Sequence, residues 1–280
     1  METQFRKKCR DVLRRIGLGG PAEKVWSYLC LASPRMICKE ISYRIIGAPD
    51  KMPLPPHGLT NLVTGNKWEA DFFDSGKLQM AQMINILRKN GINLAELHSI
   101  LDFGCGCGRL IRHLSTLSTN GAQKLYCTDY NDELIEWCKD NLHFAEFDTN
   151  ALSPPLKYGD SSFDFIFARS VFTHLSGDLQ VAWINELRRI LRTGGLLYFS
   201  IHGDRKAHEL TNVDKELFRA GKLVIKNPNS SGMNKCAAYE SKDYVIEKLL
   251  GGFELVDFIP GMEDRRLGQD VCLAKKLRSP

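Results

Sequence analysis

Ser99-Ile-Leu-Asp-Phe-Gly-Cys-Gly-Cys-Gly-Arg109, running on into Leu110-Ile-Arg-His-Leu114, changes its spacing twice. Ile100, Leu101 and Phe103 make a short apolar run of the kind that forms a buried strand. Gly104, Gly106 and Gly108 follow at every second position, and Leu110, Ile111 and Leu114 then keep a helical interval. Strand, glycine turn and helix in this order predict a site for a nucleotide-like ligand. Glycine lets the backbone approach a ligand closely, and a helix N-terminus offers unpaired N–H groups.

The glycine spacing narrows the choice of ligand. A dinucleotide fingerprint reads Gly-x-Gly-x-x-Gly. Counted from Gly104, its third glycine falls at Arg109. What stands here is Gly-x-Gly-x-Gly preceded by Asp102. This resembles the first motif of the class I S-adenosylmethionine-dependent methyltransferases, acidic-x-Gly-x-Gly-x-Gly. The resemblance implies S-adenosylmethionine as cofactor, with Asp102, Gly104, Cys105, Gly106, Gly108 and Arg109 around its amino acid end. That molecule has no phosphate but carries an amino acid group and a sulfonium cation, so a carboxylate such as Asp102 suits it.

Downstream, Lys124-Leu-Tyr-Cys-Thr128 reads as a second strand ending in Asp129. This acid lies about 25 positions beyond Gly104, the interval at which a carboxylate bonds ribose hydroxyls. Tyr130 is a candidate to flank the adenine. Asn131 and Asp132 read as the cap of a helix over 132–142. His143–Phe147 is a third strand, followed by Asp148-Thr-Asn150-Ala151. Here the resemblance implies a polar residue on the adenine amino group: Asn150 with Ala151, or Asp148. The stretch Pro155-Leu-Lys-Tyr-Gly-Asp-Ser-Ser-Phe-Asp164 and the apolar run to Arg169 resemble the family's fourth strand and the loop before it, with Asp164 fixing the strand entry. Arg169, Ser170 and His174 then fall at the carboxyl end of the sheet, where ligands bind in open α/β folds. His174 either structures this loop or acts as a base. A helix over 176–192, a Thr193-Gly194-Gly195 turn and a fifth strand over 196–201 follow. His202 ends that strand, as a base for a hydroxyl proton or as a solvent-facing cap. Upstream, a helix is expected over 77–90. Phe72, Phe73 and Gly76 precede it, as a cover across the cofactor or as plain packing.

These elements predict an α/β fold: a Rossmann-like seven-stranded mixed sheet with helices on both faces, plus an N-terminal helical extension. The last two strands are expected over 253–259 and 270–275, the final one antiparallel, after a helix over 241–250. Residues 1–65 are assigned to the extension and a Pro-rich connector, loop-like over 47–65. Residues 66–280 form the methyltransferase domain, with polar 203–240 as an insertion facing the substrate. A basic amphipathic helix is expected over 3–17, packed on its own domain or in weak peripheral contact with a membrane. A second helix is expected over 22–31.

The chain of 280 residues is 43% hydrophobic and carries a net charge of +5, enough apolar content for a full core and too mild a charge to argue for nucleic acid by itself. Nine cysteines without a C-x-x-C pair read as reduced thiols of a cytoplasmic protein. No metal site, signal peptide or transmembrane segment is read from the sequence. The expected activity is methyl transfer to a hydroxyl of a small molecule or glycan, with catalytic candidates His202 and His174. Alternatives are an RNA or protein methyltransferase, and a non-catalytic S-adenosylmethionine-binding module. Acceptor and oligomeric state are not legible.

Overall fold

The computed structural model describes residues 34–65, 69–119 and 123–278. The helices expected over 3–17 and 22–31 lie outside the described residues. In chain order the elements are α1 (Pro34–Ile46), α2 (His57–Thr64), α3 (Glu69–Lys89), β1 (Ser99–Phe103), α4 (Ser115–Thr119), β2 (Lys124–Asp129), α5 (Asp132–Asn141), β3 (Glu146–Thr149) and β4 (Phe163–Ala168). Then come α6 (Gly177–Ile190), β5 (Leu191–Ile201), α7 (Asn212–Arg219), β6 (Val224–Lys226), β7 (Ala237–Tyr239), α8 (Lys242–Tyr244), β8 (Phe253–Ile259) and β9 (Asp270–Lys276).

Successive side chains of a strand point to opposite faces, and here both faces are buried. Ile100, Phe165, Phe167, Leu196 and Tyr198 pack with Met80, Met83 and Leu87 of α3 and with Leu134, Ile135 and Cys138 of α5. Leu101, Phe103, Ile166, Ala168, Leu197 and Phe199 pack with Trp183, Ile184 and Leu187 of α6. The seven strands lie in the order β3-β2-β1-β4-β5-β9-β8. Pairs from β3 to β5 are parallel, and β9 runs antiparallel to both β5 and β8. This is the expected seven-stranded mixed sheet. The order departs from β1 in both directions, so a crevice opens at the carboxyl ends of β1, β2 and β4.

Several boundaries differ from the expectations. The helix expected over 77–90 begins at Glu69, which puts Phe72, Phe73 and Gly76 inside α3. The run after the glycine turn is a 3-10 turn (Ile111–Leu114) and the five-residue α4. Serine and threonine, which fill most of Ser115–Thr119, compete with the helix for backbone groups. Residues 47–65 are not all loop, because α2 follows Pro55-Pro56, with Pro56 just before its first residue. The third strand begins at Glu146 rather than His143. Thr193-Gly194-Gly195 lies in a bulge within β5: the step from Leu191 to Leu196 faces the step from Phe163 to Phe165 in β4. Residues 203–240 carry secondary structure of their own, α7 and the β6–β7 hairpin. Past α8 the helix expected over 241–250 continues as a π turn, Val245–Leu249.

Two contacts bring the N-terminal segments under the glycine loop. Arg112, fully buried, binds Asp50 bidentately (Nε to Oδ2 2.7 Å, Nη2 to Oδ1 3.0 Å). Its Nη2 also donates to the carbonyls of Met52 and Pro53. Gly76 lies so close to the loop that a Cβ there would stand 2.2 Å from the Arg109 carbonyl oxygen. Helix propensity favours alanine over glycine by about 1 kcal/mol. Gly76→Ala is nonetheless expected to destabilise the protein by about 1–3 kcal/mol, because α3 must retreat from backbone. A urea titration reads the sign, and a stabilised variant would disprove the close approach.

Candidate cofactor and active site

A cavity of about 430 Å³ opens at the carboxyl ends of β1, β2 and β4. Of the expected cofactor residues, Asp102, Gly104, Cys105, Gly106, Arg109, Asp129, Tyr130, Asn150 and Arg169 line it, and so does His174. Gly108, Ala151, Phe73 and His202 are not among its lining residues. A Cβ on Gly108 would meet Leu142 at 2.6 Å, so this glycine admits helix packing rather than ligand. Ala151 is exposed, and its carbonyl accepts from Asn150 Nδ2 at 2.7 Å. Phe73 is buried edge-on against His113 (4.8 Å) and Tyr43 (5.6 Å), with the Arg112 guanidinium 5.5 Å away. Its neighbours are α1 and the Asp50–Arg112 rivet.

The glycine turn is held from β2. Asp129 is 8% exposed; its Oδ2 accepts from the Gly106 N–H (2.8 Å) and its Oδ1 from the Asn131 N–H (3.0 Å). Burial raises the pKa of this carboxyl, against the pull of the Asn131, Gly106 and Tyr130 N–H groups. Asn131 caps α5 by accepting from the Leu134 N–H, so Asp129 and the cap share one short segment. Gly106 has φ +57°, a left-handed conformation, and a Cβ on it would stand 2.7 Å from Val63 Cγ2 of α2.

Buried polar atoms that find no partner among the described residues call for an explanation. Asp102 Oδ2, Arg109 Nε, Arg169 Nε and Nη1, and Asn150 Oδ1 are such atoms, and all belong to lining residues. Burial lifts the Asp102 carboxyl well above the usual carboxylate range, opposed by Arg109 and reinforced by Asp129.

The wall opposite the loop comes from α2, whose role was not read from the sequence, and from the insertion over 203–240 that was expected to face the substrate. Leu62 and Val63 of α2 and Gly232, Met233, Asn234 and Lys235 of the insertion line the cavity. Asn234 Nδ2 bonds the Leu62 carbonyl (2.5 Å), joining the two. Gly232 N–H donates to the His174 carbonyl (2.7 Å), and the Ser176 N–H donates to Ser231 Oγ (2.9 Å). A usable signal for α2 was present: Leu59, Leu62 and Val63 keep helical spacing just after a diproline. Trp183 reaches the cavity too, and its Nε1 holds the Leu152 carbonyl at 2.9 Å beneath the Asn150 loop.

The two histidines are tied to the insertion. His174 Nδ1 lies 2.7 Å from the Cys236 carbonyl and His202 Nδ1 3.1 Å from the Ala238 carbonyl. A carbonyl only accepts, so Nδ1 carries the proton in both rings and Nε2 keeps its lone pair. The rings are 6.1 Å apart and nearly perpendicular. Burial lowers the pKa of His174. Burial, then the neighbouring His174 and Lys206, bring His202 down to about 4.

A sheet of this order, with a glycine loop after β1 and an acid ending β2, is the frame of the class I S-adenosylmethionine-dependent methyltransferases, and the fold of the chain is consistent with that family. Residues 101–199 match the family described as a methyltransferase domain. Over 132 residues the chain is 29% identical to tRNA N(3)-methylcytidine methyltransferase trm140 of Schizosaccharomyces pombe, a match covering 45% of this chain and 42% of that protein. The chain thus spans less than half the length of this curated relative. Among solved structures it resembles a SAM-dependent methyltransferase of Methanosarcina mazei (24% identity, 69% of this chain and 98% of the other, TM-score 0.52). It also resembles the 1,6-didemethyltoxoflavin-N1-methyltransferase of Burkholderia thailandensis, solved with S-adenosylhomocysteine bound (14% identity, 88% and 92%, TM-score 0.53). Both likenesses are of fold.

A methyltransferase domain implies S-adenosylmethionine as its cofactor. The orphaned atoms suit it: Asp102 Oδ2 an ammonium group, Asn150 Oδ1 an adenine amino group, and the free guanidinium N–H groups a carboxylate. No helix among the described residues is long and apolar enough to cross a membrane.

Proposed function

We propose that the protein transfers a methyl group from S-adenosylmethionine to a hydroxyl oxygen of a small molecule or glycan, with His174 at the point of transfer. The observation that carries this reading is the fixed tautomer of His174: Nδ1 is committed to the Cys236 carbonyl, on a ring that lines the cavity. When bound, the cofactor supplies an electrophilic methyl carbon on a sulfonium. Asp129 receives its ribose, Asn150 its adenine and Asp102 its ammonium. His174 Nε2 would accept the proton of an acceptor hydroxyl held beside that methyl group. The rest of the acceleration is alignment. His202 stands behind His174, its ring 5.2 Å from that of Tyr239, and acts as a positioning residue. Buried free thiols support placement in the cytoplasm.

His174→Ala is expected to lower kcat by about 100-fold, the lower end of general-base effects, with S-adenosylhomocysteine affinity unchanged by calorimetry. The working form of His174 is neutral, and burial lowers its pKa. The acid limb of the rate profile should therefore lie at more acid pH than that of an ordinary histidine, and His174→Ala should lose that limb. A limb retained in the variant rules His174 out.

A tRNA acceptor is the second reading, favoured by the tRNA-modifying relative. Labelled donor offered in parallel to hydroxyl-bearing sugars and to total tRNA separates the two. Label on tRNA alone defeats the hydroxyl reading. Tight S-adenosylhomocysteine binding with no transfer to any acceptor points to a binding module.

A further inference from the structure

Apart from the residues assigned to the donor, the cavity wall is poor in free polar groups. Leu62 and Val63 of α2, Val171 and Leu175 after β4, and Met233 of the insertion supply much of it. Leu62 and Met233 are 45% and 56% exposed, so large apolar side chains stand at the mouth. Each neighbouring polar side chain already has a bond within the protein. Ser170 Oγ donates to Gln269 Oε1 (2.9 Å), Trp183 Nε1 holds the Leu152 carbonyl, Asn131 Oδ1 caps α5 and Asn234 Nδ2 holds the Leu62 carbonyl. His174 and Lys235 are the ionisable side chains of this part of the wall. Lys235 is exposed at the rim, and no carboxylate pairs with it among the described residues.

The backbone ties Lys235 to the base. The Gly232 N–H bonds the His174 carbonyl, and the Cys236 carbonyl holds His174 Nδ1. Residues 232–236 are thus pinned to His174 at both ends, with Lys235 between. Charge points the same way. Among the buried lining residues, Asp102 and Asp129 balance Arg109 and Arg169, two against two. Lys235 is left over as one positive charge. Bound S-adenosylmethionine, a zwitterion with an added sulfonium, contributes another.

We propose that Lys235 is a specificity-determining residue that takes an anionic group of the acceptor, and that the acceptor is a mainly apolar hydroxy acid. Its hydroxyl meets His174 Nε2, its apolar body lies against Leu62 and Met233, and its anion meets the Lys235 ammonium. This rests on the hydroxyl reading above and narrows it to one class of small molecule. A sugar carries hydroxyls all round, and those that enter such a wall lose bonds to water without replacing them.

Calorimetry on the protein loaded with S-adenosylhomocysteine tests this with three probes: 4-hydroxycinnamate, its methyl ester and glucuronate. Acid and ester share a body and differ in charge, whereas the two acids share a charge and differ in body. The aromatic acid should bind about threefold more tightly than its ester, the scale of an exposed ion pair. It should bind at least about tenfold more tightly than glucuronate, the scale of burying about 60 Å² of apolar surface. Lys235→Gln should erase the difference between acid and ester, and Met233→Ser should weaken both alike. Both side chains are exposed, so the Tm of each variant should match that of the wild type. An ester or a glucuronate bound as tightly as the aromatic acid overturns the inference. So does a Lys235→Gln protein that keeps the full preference, or a wild-type protein that binds none of the probes. Labelled donor separates this inference from the reading beneath it. Label entering glucuronate rather than the aromatic acid keeps the hydroxyl reading and overturns the apolar acid. Label entering total tRNA and none of the probes defeats the hydroxyl reading, and this inference with it.

Discussion

Replacing Asp129 by alanine is expected to reduce S-adenosylhomocysteine affinity by at least about 100-fold, the sum of two charge-assisted hydrogen bonds at about 1.5 kcal/mol each. The carboxylate has about four lone-pair sites. Gly106 and Asn131 each donate to one oxygen, the Tyr130 N–H pulls on the same carboxylate, and the lone pairs that remain are the ones proposed for the ribose hydroxyls. Alanine removes all of these acceptors at once. It leaves the Gly106 N–H without its acceptor, so the glycine turn loses its tie to β2 together with the ribose contact. Asp129→Asn keeps a single accepting oxygen and should fall between. Isothermal calorimetry measures the loss, and circular dichroism checks that the sheet persists. A folded Asp129→Ala protein within about threefold of wild-type affinity, less than one such bond is worth, would remove Asp129 from the binding site.

Asp50→Ala should have the largest effect on stability, about 3–5 kcal/mol, as expected when one partner of a buried pair is deleted. Arg112 has no exposed surface, whereas the Asp50 side chain is 16% exposed. Without Asp50 the guanidinium keeps only the Met52 and Pro53 carbonyls, and its Nη1 already lacks a partner among the described residues. For a chain of this size the loss corresponds to a Tm lower by about 10 °C. The double variant Asp50→Leu with Arg112→Met should recover much of it, because the uncompensated charge goes too. Thermal unfolding of the three variants makes the comparison. A loss below about 1 kcal/mol in Asp50→Ala would class the pair with solvent-exposed ion pairs.

Much of the donor side was legible because its signals are local. Strand, glycine turn and helix read directly from Ser99 to Leu114. Asp129 follows at the interval where a carboxylate ending the second strand meets a ribose, and Asn150 follows from the end of the third strand. Phe73 shows where such reading stops. Its position before a helix suggested a cover across the cofactor, yet α3 begins earlier and turns the ring onto His113 and Tyr43. A side chain's direction depends on where its helix starts, and the periodicity of 77–90 did not reach back to Glu69. The helix after the glycine turn is shorter than expected for a related reason: Leu110, Ile111 and Leu114 have the spacing of a helix, but the serines and threonines that follow them favour one poorly.

By itself, the sequence determined the sheet and pointed to the kind of cofactor, and it picked out Asp102, Asp129 and Asn150 as candidates to hold it at the ends of β1, β2 and β3. These depend on alternation, helical spacing and turn chemistry, whose physical range is a few residues. The tertiary structure alone decided what closes the cavity and how charge is arranged inside it. Val63 meets the loop at Gly106, and Asn234 meets Leu62. Cys236 sets the tautomer of His174, and Asp50 neutralises Arg112. Arg109 and Arg169 stand together with N–H groups left free. Each of these joins residues far apart in the chain. Their distances are set by how α2, α3 and the insertion pack on the sheet, and no local pattern encodes whether a buried donor there finds a partner.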